Sequence, residues 1–154
     1  MASLPWGFES PLSHQFLNPE GSIWPRRITT WRGSVRVLFV VDNGSDGSGA
    51  ERLSQQRFDV DIVSVGRQLP GRIRDYRPDV LVLDVVLPHL SGVTVAELLR
   101  EDWPLLPIVF TSEDFDPAES PLPTMTEFLP KPYSLDALIN AIRRLTYRLP
   151  ISDL

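Results

Sequence analysis

Four polar groups stand where apolar runs stop, and their types suit one chemistry. Val80 to Leu83 is an unbroken apolar run of the kind a strand buried on both faces requires, and it ends at Asp84, with Pro88 and Gly92 following. Val35 to Val41 ends in Asp42 and Asn43, Leu106 to Phe110 in Thr111 and Ser112, and Thr126 to Leu129 leads into Pro130, Lys131 and Pro132. Placed side by side in one sheet, these runs bring carboxylates, a hydroxyl and an ammonium to a single edge, where ligands bind in open α/β sheets. Converging carboxylates repel unless a cation lies between them, and hard oxygen ligands favour magnesium. The hydroxyl and the ammonium suit the oxygens of a phosphoryl group. The set therefore describes an acidic pocket that takes up a phosphoryl group with metal help. Each residue also has a plain reading: Asp84 as a cap for the next helix, Thr111 as an ordinary strand residue, Lys131 as a solvated loop residue.

Composition sharpens one of these choices. Of the 15 basic residues only Lys131 is lysine, the rest being arginine. A lone lysine among arginines points to a position that wants a compact ammonium on a flexible stem. The absence of cysteine excludes disulfides, thiolate metal sites and cysteine nucleophiles. The formal charge of −5 is uneven, +1 over residues 1–34 and −6 over the remainder. An acidic body argues against nucleic acid as a direct partner, because phosphate contacts need a basic face. No apolar run approaches membrane-spanning length and no signal-peptide layout opens the chain, so a cytoplasmic protein is expected.

These residues require elements to position them. From Val35 the pattern predicts strands over Val35–Val41, Asp59–Ser64, Val80–Asp84, Leu106–Phe110 and Thr126–Leu129. Helices are expected over Ala50–Arg57, Arg67–Tyr76 with Pro70 in the first turn, and Gly92–Asp102 with Val95, Leu98 and Leu99 on one face. A short or distorted helix is expected within the acidic, proline-bearing segment 113–124. A last helix follows Ser134, with Leu135, Leu138, Ile139, Ile142 and Leu145 on one face. Alternating strands and helices imply an α/β, doubly wound, five-stranded parallel sheet. Residues 1–34 read as an irregular extension, interrupted by Pro5, Pro11, Pro19 and Pro25. Codons for Gly7 to Gln15 can spell a transfer-RNA T-arm and its terminal CCA, so a natural start near Val35 is expected. The expected organisation is 1–34 extension, 35–148 folded domain and 149–154 tail.

Over about Val35 to Tyr147 the sequence resembles the receiver domains of two-component response regulators. The resemblance rests on Val-Val-Asp-Asn, Leu-Asp-Val-Val-Leu-Pro-His-Leu-Ser-Gly, Phe-Thr-Ser and Phe-Leu-Pro-Lys-Pro-Tyr, in order on successive strands. It implies a flavodoxin-like fold of strand order 2-1-3-4-5 and no enzymatic output beyond the domain's own phosphorylation and dephosphorylation. It implies Asp84 as phosphoacceptor from a histidine kinase or phosphotransfer protein, and Mg2+ held by Asp42, Asp84 and the Val86 carbonyl. Lys131 would pair with phosphoryl oxygens before a cis Lys-Pro bond, and Thr111 and Phe128 would be the switch residues. Output would pass to an unknown downstream protein, with homodimerisation allowed and no membrane involved.

Some features depart from that pattern. Asn43 replaces a second acid and should hold the metal weakly. The first loop is rich in glycine, and prolines crowd the segment before Thr124. Nine residues follow Leu145, too few for a DNA-binding output. Two other functions compete: a receiver-like scaffold without phosphotransfer, which Asn43 favours, and a flavodoxin-like cofactor binder using Gly44, Gly47 and Gly49 as a phosphate cradle. His14 and His89 are expected to be exposed, Arg143 and Arg144 to lie on a solvated helix face, and Glu113, Asp114, Asp116 and Glu119 to be solvated surface.

Overall fold

The computed structural model of the protein describes residues 34–42, 47–87, 89–118 and 121–147. Five strands follow the apolar runs: β1 (Val35–Val41), β2 (Phe58–Ser64), β3 (Val80–Asp84), β4 (Ile108–Ser112) and β5 (Thr126–Pro130). Helices α1 (Ser48–Ser54), α2 (Gln68–Tyr76), α3 (Gly92–Asp102) and α4 (Leu135–Tyr147) alternate with them. The strands form one parallel sheet in the order β2-β1-β3-β4-β5, so the chain reverses its direction of travel across the sheet between β1 and β3. That reversal opens a crevice at the carboxyl ends of the two strands.

Side chains alternate across the inner strands, and each face is covered. Leu38 and Val40 of β1 and Leu81 and Leu83 of β3 pack with Ile73 of α2 and Val95 and Leu99 of α3. Their neighbours Val37, Phe39, Val80 and Val82 pack with Leu53 of α1 and Leu138, Ile142 and Leu145 of α4. This two-sided burial explains why β3 reads as a continuous apolar run. Ser91 caps helix α3, its Oγ accepting from the Val93 amide at 3.2 Å.

Several elements differ from expectation, most by one residue at an end, while α1 ends at Ser54 rather than Arg57. α1 starts at Ser48, because Gly47 takes a left-handed φ of 64° and turns the chain into the helix. β4 starts after Pro107 rather than at Leu106, whose amide bonds back to the Trp103 carbonyl and closes a turn. The strand then carries Thr111 and Ser112 inside the sheet, paired with Leu129 and Pro130. Segment 113–124 contains no helix among its described residues. Pro117, Pro121 and Pro123 lack the amide a helix needs, and side chains bond the backbone instead. Asp116 Oδ1 accepts from the Ala118 amide at 2.8 Å, and Thr126 Oγ1 donates to the Pro123 carbonyl at 2.6 Å. The Arg100 guanidinium donates to the carbonyls of Trp103, Leu106, Thr124 and Met125, tying the end of α3 to the entry of β5. Its burial lowers its pKa to about 10. Residues 1–33, 43–46 and 148–154 lie outside the described residues, so the expectations on the extension, the start near Val35 and the tail do as well.

Candidate functional site

Strand register brings the polar strand ends together. Asp84 is the partner of Thr111 across β3 and β4, and the Val85 amide donates to the Thr111 carbonyl at 2.9 Å. The Lys131 amide donates to the Ser112 carbonyl at 2.8 Å, which carries the lysine from the end of β5 back over β4. The Lys131–Pro132 bond is cis. Lys131 Nζ reaches Asp84 Oδ2 at 2.6 Å, with the two side chains 31% and 28% exposed. Asp84 Oδ1 accepts from the Val86 amide at 3.0 Å, so both oxygens of this carboxylate are held. Burial alone would lower the pKa of Lys131, but its hydrogen bond to Asp84 and the negative charges of Asp84 and Glu113 outweigh that and raise it.

The loop between β3 and α3 is pressed against this carboxylate. Val86 and Ser91 form an isolated bridge, and the Gly92 amide donates to the Val85 carbonyl at 2.7 Å. A Cβ at Gly92 would overlap the Asp84 carbonyl, so only glycine permits the backbone to approach this closely.

A cavity of about 420 Å³ opens at this edge, lined by Asp42, Asp84, Thr111 and Lys131. All four residues singled out in the sequence therefore share one site. Thr111 is buried and Asp42 half-buried. Asn43 lies outside the described residues. Val86 is 66% exposed beside Asp84. Phe128 is half-buried and packs at a tilt on Phe115, with ring centroids 5.4 Å apart. His89 is exposed.

The cavity lining also includes Arg52, Glu113 and Tyr133. Glu113 is exposed, as expected, and the turn after β4 also brings it to the rim of the cavity. The competing cofactor-binder reading would place Gly49 in a phosphate cradle, but it lies within α1, and a Cβ there would meet the Tyr133 hydroxyl at 2.5 Å. That glycine accommodates a tyrosine, and the Gly-Ser stretch around it was the only sequence signal of such an approach.

Among the described residues no group of three His, Cys, Asp or Glu side chains converges as a ready metal cage. The carboxylates of Asp42 and Asp84 in one cavity nevertheless fit a magnesium ion, which takes one or two carboxylates and completes its shell with water and phosphate oxygens. Among the described residues no helix is long and apolar enough to cross a membrane.

Comparisons with known proteins agree on a family. Residues 37–143 match the family described as response regulator receiver domain. The chain is 32% identical over 124 residues to response regulator MprA of Mycobacterium ulcerans, covering 78% of this chain and 53% of that protein. The MprA protein of Mycobacterium tuberculosis matches at the same 32% identity and is covered over 54% of its length. The chain thus spans about half the length of these relatives. Among solved structures, a response regulator receiver protein from Sinorhizobium medicae aligns with a TM-score of 0.63 at 26% identity, over 75% of this chain and 96% of that one. The chemotaxis protein CheY4 of Vibrio cholerae shares the fold, with a TM-score of 0.63 at 21% identity over 73% of this chain and 99% of that one.

Proposed function

The chain belongs to the response regulator receiver domain family, and from that premise we propose that Asp84 is the phosphoacceptor of a two-component system. The donor is a phosphohistidine on a sensor kinase or phosphotransfer protein. An Asp84 carboxylate oxygen attacks phosphorus, the P–N bond to the imidazole breaks, and the ring leaves with the bonding pair and takes a proton from solvent. Lys131 exchanges its bond to Asp84 for bonds to phosphoryl oxygens, and Thr111 donates its hydroxyl to the same group. Asp42, Asp84, the Val86 carbonyl and, weakly, Asn43 would hold Mg2+, which supplies neutralising charge for the phosphoryl oxygens.

Signalling then passes by protein–protein contact, with Thr111 and Phe128 as the elements that move. The same reading takes residues 35–148 as the receiver unit and sets it in the cytoplasm, where ATP-dependent kinases act. The observation that carries the proposal is the 2.6 Å ion pair between Lys131 and Asp84, beside Thr111 on the ligand-binding edge of the sheet. A scaffold without phosphotransfer is the second reading, motivated by Asn43.

Intact mass after incubation with acetyl phosphate and magnesium tests the two. A gain of one phosphoryl mass in the native protein and none in Asp84→Asn is expected. No gain in the native protein, with acetyl phosphate or with a phosphorylated donor protein, would favour the scaffold.

A further inference from the structure

The cavity holds a cation to which no role has yet been given. Arg52 lies in α1 between the sheet-facing positions Ala50 and Leu53, is exposed, and lines the same cavity as Asp84 and Lys131. Its guanidinium has no hydrogen-bond or ion-pair partner among the described residues, whereas Arg36, Arg72, Arg100 and Arg144 are all engaged. The cavity thus carries three carboxylates, Asp42, Asp84 and Glu113, against two cations, and one of those cations is already bound to Asp84.

We propose that Arg52 is a phosphoryl-binding residue, which receives the phosphoryl oxygens of the donor and keeps hold of them once the group is on Asp84. The assignment rests on the phosphoacceptor reading of Asp84. Charge gives the reason. A phosphoryl group brings about two negative charges in place of the one on Asp84. With Asp42 and Glu113 also charged, Lys131 and Arg52 leave a net charge of about −2, which one divalent cation neutralises. Without Arg52 the same pocket retains an uncompensated negative charge. Geometry gives a second reason, since the planar guanidinium offers paired donors to two phosphoryl oxygens and an ammonium offers only a point charge. Because Arg52 projects from a helix flank, it can meet the donor without breaking any bond within the described fold.

With acetyl phosphate as donor the step is balanced. An Asp84 oxygen attacks phosphorus, the P–O bond to the acetyl group breaks, and acetate leaves with the bonding pair. The test compares the rate of this labelling, followed by intact mass in excess magnesium, for the native protein, Arg52→Gln, Arg52→Lys and Arg57→Gln. Arg57 is another exposed arginine, just beyond α1, that does not line the cavity, so it controls for net charge. Arg52→Gln is expected to label about fivefold more slowly, as for loss of one charge-assisted contact near solvent, with much of the rate restored in Arg52→Lys. Arg57→Gln is expected to match the native protein.

A nuclear magnetic resonance titration with inorganic phosphate and magnesium reads the same contact without chemistry, and binding should weaken about fivefold in Arg52→Gln alone. If the native protein takes no label but binds phosphate through Arg52, the phosphoacceptor reading fails and the phosphate contact stands. If Arg52→Gln binds phosphate as Arg57→Gln does, or if the native protein binds none, the proposal is overturned.

Discussion

Lys131 shows how much a single side chain carries. It is the only lysine of the chain, it spans from the end of β5 to the carboxylate at the end of β3, and its ammonium is held above its ordinary pKa of 10.5. A lysine whose folded value is raised stabilises the fold fully at pH below its unfolded value, and that contribution disappears as pH climbs through the folded value. Urea unfolding of the native protein and of Lys131→Met, from pH ~8 to ~12, should therefore show a stability difference that shrinks only on the alkaline side. With no other lysine to titrate, subtracting the two curves isolates this pair. A difference that stays constant across the range would mean that the ion pair adds nothing to stability.

Among the elements, the connection from α3 to β5 is the least regular and the most dependent on one residue. Where a helix would satisfy its own carbonyls, segment 121–125 relies on Arg100, which bonds Thr124 and Met125 while also holding Trp103 and Leu106. Met125 has a left-handed φ of 60°, which a non-glycine residue adopts only when its surroundings impose it. Arg100→Met should cost about 3 kcal/mol, because it leaves the Leu106 and Thr124 carbonyls without their donor, whereas those of Trp103 and Met125 keep a backbone amide. Hydrogen exchange should accelerate over 121–126 more than over β1 or β3. Equal acceleration throughout would show that the guanidinium supports the whole fold and not this connection. The Phe115–Phe128 contact joins the same region to β5, so movement of Phe128 would be felt along the connection.

In the molecule as a whole, both core clusters consist of residues between Leu38 and Phe110 on one face and between Val37 and Leu145 on the other. A chain of residues 34–147 therefore contains the complete described core, and it should unfold cooperatively with a midpoint within about 3 °C of the full chain. A much lower midpoint in calorimetry would assign a stabilising role to the residues outside this span. The same frame sets the reach of the site: α1 closes one flank of the cavity and the turn after β4 the other, and neither flank is formed by the strands that supply Asp84 and Thr111.

Much of this was legible in the residues alone. Asp42, Asp84, Thr111 and Lys131 could be found because each ends or follows an apolar run, and in a parallel sheet all such ends fall on one edge. Order and periodicity were likewise enough for five strands and for the face of α4, whereas Leu98 of α3, expected beside Val95 and Leu99, is only half-buried and joins neither core cluster, and Ala96 is buried in its stead. Other features depended on packing as well as on local pattern. Segment 113–124 lacks a helix among its described residues because its prolines supply no amides, and its end at Thr124 is held by Arg100, which approaches from another element. Arg52 carries no local signature, since its place at the cavity depends on how α1 is laid against the sheet edge, and the same packing brings Glu113 and Tyr133 there from two turns. Sequence alone determined which strand ends carry the chemistry, because burial imposes its period on every strand. Tertiary structure decided which side chains surround that chemistry, because their distances are set by contacts between elements far apart in the chain.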